Sequence, residues 1–239
     1  MHENRQVAVY CITRNLYRKV APSLVSLLMH TRMDKVYLLI EDDKLPFALP
    51  ENVECINVSR QTYFKASGPN YRCRWSWMAL MRAALPYVLP DEHVVLSLDA
   101  DTIIVDDISP MFRMPLDGYY FAGVEETHKS WPGRMYCNAG AILLNLDMLR
   151  NGKADEIIAE LNTRFHAYPE QDVMNDLCKN HILSIPSDYN ANSFTKKTNA
   201  PKIVHFAAND SWWEQPLVRA FATVKCDWEQ RRKDADADA

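Results

Sequence analysis

The sequence predicts an α/β fold built on a mostly parallel central sheet flanked by helices. Two observations carry this: short, wholly apolar β-prone runs, and their alternation with segments of helical apolar spacing. Residues 6–13 open the chain with Val7, Ala8, Val9, Tyr10, Cys11 and Ile12, the pattern of a strand buried on both faces. Residues 20–29 follow with Val20, Leu24, Leu27 and Leu28 on one helical face. Residues 35–40 and 53–58 give two more strands, and residues 74–85 read as a helix that Pro86 stops. Residues 93–98 form a strand that runs straight into Asp99, Ala100 and Asp101. Strands at 118–124 and 140–146, helices at 154–165 and 171–180, and a late strand at 202–206 complete the pattern. With no internal repeat and no linker, residues 1–230 predict one domain, and residues 231–239 a low-complexity, disordered tail.

Composition excludes several classes. Of 239 residues, 48% are hydrophobic and 24% charged, which excludes global disorder. A net charge of −4 argues against binding to unmodified duplex nucleic acid. The six glycines fall well below the usual share of about 7%, so a glycine-rich phosphate loop is not expected. Cys11, Cys55, Cys73, Cys137, Cys178 and Cys226 are scattered without a C-x-x-C pair, as in a reduced, cytoplasmic protein. No apolar stretch is long enough to span a bilayer, and the first residues lack a signal-peptide pattern. Acids offset the basic residues of the tail, so at most peripheral membrane contact is expected.

The acidic triplet Asp99-Ala100-Asp101 is weak as a bare pattern, because three D-x-D triplets occur and two lie in the tail. Its context is what singles it out. Residues i and i+2 of an extended chain face the same side, so both carboxylates can converge on one cation. Paired acids beside an apolar strand repel each other unless a metal or an arginine lies between them. The bland alternative is a surface turn whose acids cap a helix or pair with lysines. A phosphatase-type D-x-D-x-T arrangement is excluded by spacing, since Thr102 directly follows Asp101. By itself His205, ending the strand at 202–206, reads as a satisfied core histidine.

Residues 94–112, Val94 through Asp99, Asp101, Asp106 and Asp107 to Phe112, resemble the metal-binding segment of family-8 glycosyltransferases. Further segments agree in order and spacing. Residues 136–146, with Asn138, Ala139 and Gly140, are similar to the family's N-A-G segment. Residues 168–175 resemble its D-Q-D-x-x-N segment, with Glu170 in place of the first Asp before Gln171 and Asp172. Residues 185–190, the strand carrying His205, and Arg82 followed by two prolines also match, so the resemblance covers residues 7–213.

The resemblance implies a GT-A fold and a metal-dependent retaining hexosyltransferase. The donor would be a nucleotide sugar, usually a UDP-sugar, with Mn²⁺ (or Mg²⁺) as the metal. The acceptor, a glycan, protein or small molecule, is left open. Asp99, Asp101 and His205 would be the metal ligands, and two carboxylates with one imidazole suit Mn²⁺. Thr13, Tyr17, Arg82 and Ala100 would contact the donor, with Thr13 and Tyr17 at the nucleobase. Asn138, Gln171 and Asp172 would line the sugar pocket, flanked by Gly133 and Gly140. Gln171 holds the position debated as a nucleophile, but an amide is a weak one, which favours a same-face displacement. Gln171 and Asp172 also suit the first turn of a helix.

Several departures stand out. Ala208 and Ser211 replace a family Gly and a family Lys that touches the diphosphate, and Arg14-Asn15 replace an acid after the first strand. Lys129, Arg134, Lys196, Lys197 and Lys202 are candidate substitutes for the lost cation. Residues 125–134, with His128 and Trp131, read as a mobile loop over the site. Trp212 and Trp213 are assigned to packing or to stacking on an acceptor sugar. The loss of the Lys motivates an alternative, a degenerate non-catalytic module that binds a nucleotide sugar or a partner.

Overall fold

The computed structural model describes residues 5–129 and 134–223, so the tail at 231–239, Trp131, Gly133 and Cys226 lie outside the described residues. The apolar runs form β1 (Val7–Cys11), β2 (Lys35–Ile40), β3 (Val53–Asn57) and β4 (Val94–Leu98), interleaved with α1 (Ala21–His30) and α2 (Ser76–Val88). There follow β5 (Thr102–Ile104), β6 (Phe121–Glu125), β7 (Cys137–Asn145), the single turn α3 (Leu146–Met148), α4 (Ala154–Thr163) and α5 (Pro169–Leu177). β8 (Ile182–Ser184), β9 (Ile203–His205) and α6 (Pro216–Ala222) complete the order.

A seven-stranded sheet runs β3-β2-β1-β4-β7-β6-β8. Its pairings are parallel except at β7, which lies antiparallel to both β4 and β6. This single reversal matters for the site. It brings the start of β7 to the edge where β4 ends: Leu98 faces Ala141, and Asp99 N–H donates to Gly140 C=O at 2.8 Å. Side chains alternate across the sheet. Ala8, Tyr10, Leu38 and Leu96 pack toward α1, while Val7, Val9, Leu39 and Val95 pack toward α2, α4 and α5. The result is a three-layer α/β/α core.

The late strand β9 pairs with β5 in a separate two-stranded antiparallel ribbon. α1 holds this ribbon through buried hydroxyls. Ser26 Oγ accepts from Ile104 N–H at 3.0 Å, and Ser23 Oγ lies between Tyr10 Oη (3.0 Å) and Thr102 Oγ1 (3.1 Å). Thr102 Oγ1 in turn donates to the Asp99 carbonyl at 2.8 Å. The backbone of the acidic turn is thereby tied to the core.

The helix stop expected at Pro86 is displaced: α2 continues through Pro86 to Val88. Pro86 lacks an N–H for the previous turn, and Pro90 lacks the one that would meet the Pro86 carbonyl. Arg150 fills the gap, donating Nε to Pro86 C=O (2.8 Å) and Nη2 to the carbonyls of Leu89 (2.7 Å) and Glu92 (2.6 Å). A guanidinium from a distant turn thus caps the helix.

Candidate active site

A cavity of about 320 Å³ opens beyond the ends of β1 and β4, within the usual range for ligand sites. On its floor Asp99, Asp101 and His205 offer ligand atoms that lie within 4.8 Å of one another. His205 Nε2 is 3.4 Å from Asp101 Oδ1 and 3.9 Å from Asp99 Oδ2. His205 Nδ1 donates to Asn190 Oδ1 at 2.9 Å, so Nε2 is the nitrogen that faces the acids and is free to exchange a proton for a metal ion. Burial works against charge on His205, but the Asp101 carboxylate and then Asp99 outweigh it and raise the imidazole pKa. Burial likewise opposes the Asp101 charge, and His205 overcomes it and lowers that pKa. This donor set, two carboxylate oxygens and one imidazole nitrogen, fits a divalent cation of the Mn²⁺ type. Gly140 makes room for it: a Cβ there would lie 2.0 Å from His205 Cε1, so the ring rests directly on the β7 backbone.

Beneath the acids Arg82 is buried, with 4% of its side chain exposed. Nη2 donates to Asp99 Oδ1 at 2.5 Å, Nη1 to Glu170 Oε1 at 2.9 Å and Nε to Ser97 Oγ at 3.0 Å. Burial opposes the guanidinium charge, but Asp99 and Glu170 more than compensate and raise its pKa. Glu170, the residue standing for the family's first Asp, thus anchors the arginine that aims Asp99.

At the other end of the cavity Asn138 and Gln171 are locked in a network. Asn138 Nδ2 donates to Glu126 Oε1 at 2.7 Å, and Asn138 Oδ1 accepts from Gly140 N–H and from Asn190 Nδ2, both at 3.0 Å. Gln171 Oε1 accepts from Ala139 N–H at 2.8 Å, while Nε2 donates to Tyr136 Oη (3.0 Å) and Glu126 Oε1 (3.3 Å). Asp172 stands behind this layer. It accepts from Tyr136 Oη and, at 2.9 Å, from Tyr168 N–H, the latter a cap at the start of α5.

Of the residues expected at the site, Thr13, Arg82, Asp99, Ala100, Asp101, Asn138, Gln171 and His205 line the cavity. Tyr17 does not. It is buried beside the wall, where its hydroxyl donates to Asp42 Oδ2 at 3.1 Å and accepts from Glu41 N–H at 2.8 Å, pinning the loop after β2. Among the candidate cations Lys129 alone lines the cavity; Lys202 is engaged by Asp106 and Arg134 by Asp176. Trp212 is on the lining, whereas Trp213 lies under Lys19, whose Nζ is 3.4 Å from the ring centre. The described flanks of the loop at 125–134 are anchored, with Glu126 N–H bonded to Tyr136 C=O and Thr127 N–H to Phe194 C=O, both at 2.8 Å.

Glu126, Asn190 and Arg74 went unmarked in the sequence reading. Asn190 ends the segment 185–190 that the resemblance includes, but nothing in its spacing points to His205. Ala208 has φ +58°, the left-handed region that favours glycine.

Comparison with known proteins bears on this geometry. The profile of the family described as Glycosyl transferase family 8 matches residues 8–215. Glycosyltransferase GlyB of Streptococcus pneumoniae serotype 4 is 28% identical over 133 residues, 54% of this chain and 31% of GlyB. Glycosyltransferase GlyE of the same organism is 24% identical over 246 residues, 90% of this chain and 58% of GlyE. The chain therefore spans only part of the length of these relatives. The crystal structure of GlyE superposes with a TM-score of 0.69 at 17% identity, covering 98% of this chain and 64% of that one. The galactosyltransferase LgtC, solved with donor and acceptor sugar analogs, gives 0.67 at 16% identity, covering 95% of this chain and 100% of LgtC. At such identities the likeness establishes the fold, which is GT-A.

Proposed function

The chain belongs to glycosyl transferase family 8, and on that premise we propose that it is a retaining hexosyltransferase that moves a sugar from a UDP-sugar to an acceptor hydroxyl with Mn²⁺. The observation that carries the reading is the convergence of Asp99, Asp101 and His205 on the cavity floor, with Nε2 of His205 turned to the acids by Asn190. These three residues would hold the cation. When bound it supplies positive charge against the departing nucleoside diphosphate.

The remaining work falls to the chain. Arg82 holds Asp99 Oδ1 and would so keep that carboxylate in place to bind the cation. Asn138 and Gln171, held by Glu126, would orient the transferred sugar. Gln171 Oε1 is engaged by Ala139 N–H, which leaves it poorly placed to attack the anomeric carbon. That favours a same-face displacement: the C1–O bond to phosphate breaks with its electron pair going to the diphosphate, and the acceptor oxygen bonds to C1. The acceptor's proton passes to the released phosphate oxygen. Among the described residues no helix is long and apolar enough to cross a membrane, and the five described cysteines are unpaired. A reducing, cytoplasmic setting suits those free thiols.

The test is a screen of UDP-sugars with purified protein and Mn²⁺, reading transfer or hydrolysis and the anomeric configuration of the product by NMR. Turnover that vanishes with EDTA and in Asp101→Ala is expected. Absence of both turnover and metal-dependent nucleotide binding would overturn the reading.

A further inference from the structure

The cavity has four cationic or potentially cationic side chains on its lining besides His205, and three of them are committed. Arg82 spends its guanidinium on Ser97, Asp99 and Glu170. Lys129 donates to Tyr136 Oη at 3.1 Å and sits 3.8 Å from the ring centre of Tyr168. His128 is turned to Glu126 Oε2 at 3.6 Å. Arg74 differs. Its side chain is 71% exposed, stacks on Trp75 at 5.1 Å and, among the described residues, is paired with Asp210 Oδ1 alone, loosely, at 3.6 Å.

That loose contact ties Arg74, on the cavity lining, to the segment after β9. Arg74 stands just before α2, on a rim fixed by the Trp75 Nε1 bond to Ala167 C=O (3.1 Å). Asp210 lies between Ala208 and Trp212 in a rim segment whose residues Ala207, Ala208 and Trp212 line the same cavity. An exposed pair of this kind is weak and easily exchanged. A diphosphate, with more charge and a better fit to the guanidinium fork, is the stronger partner. The substitution of Ser211 leaves this rim without a lysine of its own.

We infer that Arg74 exchanges Asp210 for the diphosphate of the donor, so that Arg74 grips the nucleotide and Asp210 competes with it. The inference rests on the reading of the cavity as a nucleotide-sugar site. The exchange predicts opposite effects of removing the two partners. Binding of UDP in the presence of Mn²⁺, followed by calorimetry on the full chain, decides the matter. Arg74→Ala is expected to weaken UDP by about tenfold or more, with Arg74→Lys between it and the parent. Asp210→Asn is expected to tighten UDP about two- to threefold. Mn²⁺ binding without nucleotide, read by electron paramagnetic resonance, stays unchanged in all three variants. If Arg74→Ala binds UDP as the parent does, or if Asp210→Asn weakens it as Arg74→Ala does, the exchange is wrong and the pair is only a structural clasp. If the parent chain itself binds Mn²⁺ but no UDP, the nucleotide-sugar reading fails, and the inference falls with it.

Discussion

At the amide end of the cavity both polar atoms of Asn138 and of Gln171 have partners, and every donor points at an acceptor. At the acidic end, among the described residues, the side chain of Asp101 is paired with the His205 ring alone, and Arg82 is shared between Asp99 and Glu170. The amide end is built from β7, α5 and the residue after β6, the acidic end from the turn after β4 and the end of β9; in one the polar atoms are paired off, and in the other two carboxylates gather on one imidazole. The difference teaches what each is for. A saturated network holds a shape, and, on the proposed reading, an unsaturated set of ligands would take up a cation.

The comparison can be broken most forcefully at the acids. Asp101→Ala should lower kcat/KM about a thousandfold, the share expected of a lost metal, and abolish any rise in melting temperature on adding Mn²⁺. An unchanged Mn²⁺ response would remove the acids from the metal site. Gly140→Ala strikes the seam between the ends, because the new methyl collides with the His205 ring. Urea unfolding should show a loss of about 1–3 kcal/mol, with a weakened Mn²⁺ response. Glu126→Gln strikes the amide end, two hydrogen bonds removed from Asn190. Its loss of a strong acceptor frees both amides to turn, so kcat/KM should fall about tenfold while Mn²⁺ affinity holds. A matching fall in metal affinity would mean the ends are not separable. Ala208→Gly is the mildest probe, relieving a left-handed alanine on the rim and stabilising the fold by up to about 1 kcal/mol in a thermal melt.

What could be read from the sequence follows from where the signal is local. β1, β2 and β4 declare themselves because an unbroken apolar run has few other fates. β5 and β8, three residues each, carry too few positions for any period to register. The continuation of α2 past Pro86 depends on Arg150, a residue from another turn of the chain, so the local rule was overruled by tertiary contact. The site divides in the same way. Asp99 and Asp101 are neighbours at a strand end, and His205 could be added through an ordered resemblance. Glu126 and Asn190 become site residues only because β6, β7 and the turn before β9 are laid side by side, and the burial of Tyr17 likewise depends on the loop after β2.

The reversed direction of β7 also governs timing. Were β4 and β7 parallel, each could have closed its own crossover unit and left the cavity to be assembled from loops. Because they are antiparallel and central, the acids at the end of one and the asparagine at the start of the other meet only when the chain between Asp99 and Cys137 has looped back and zipped its register. Closing that loop costs chain entropy before any pocket contact repays it. The acids therefore gain their asparagine neighbour only with β7 and their histidine only with the β5–β9 ribbon, and a chain that has formed only its first four strands has no pocket to offer.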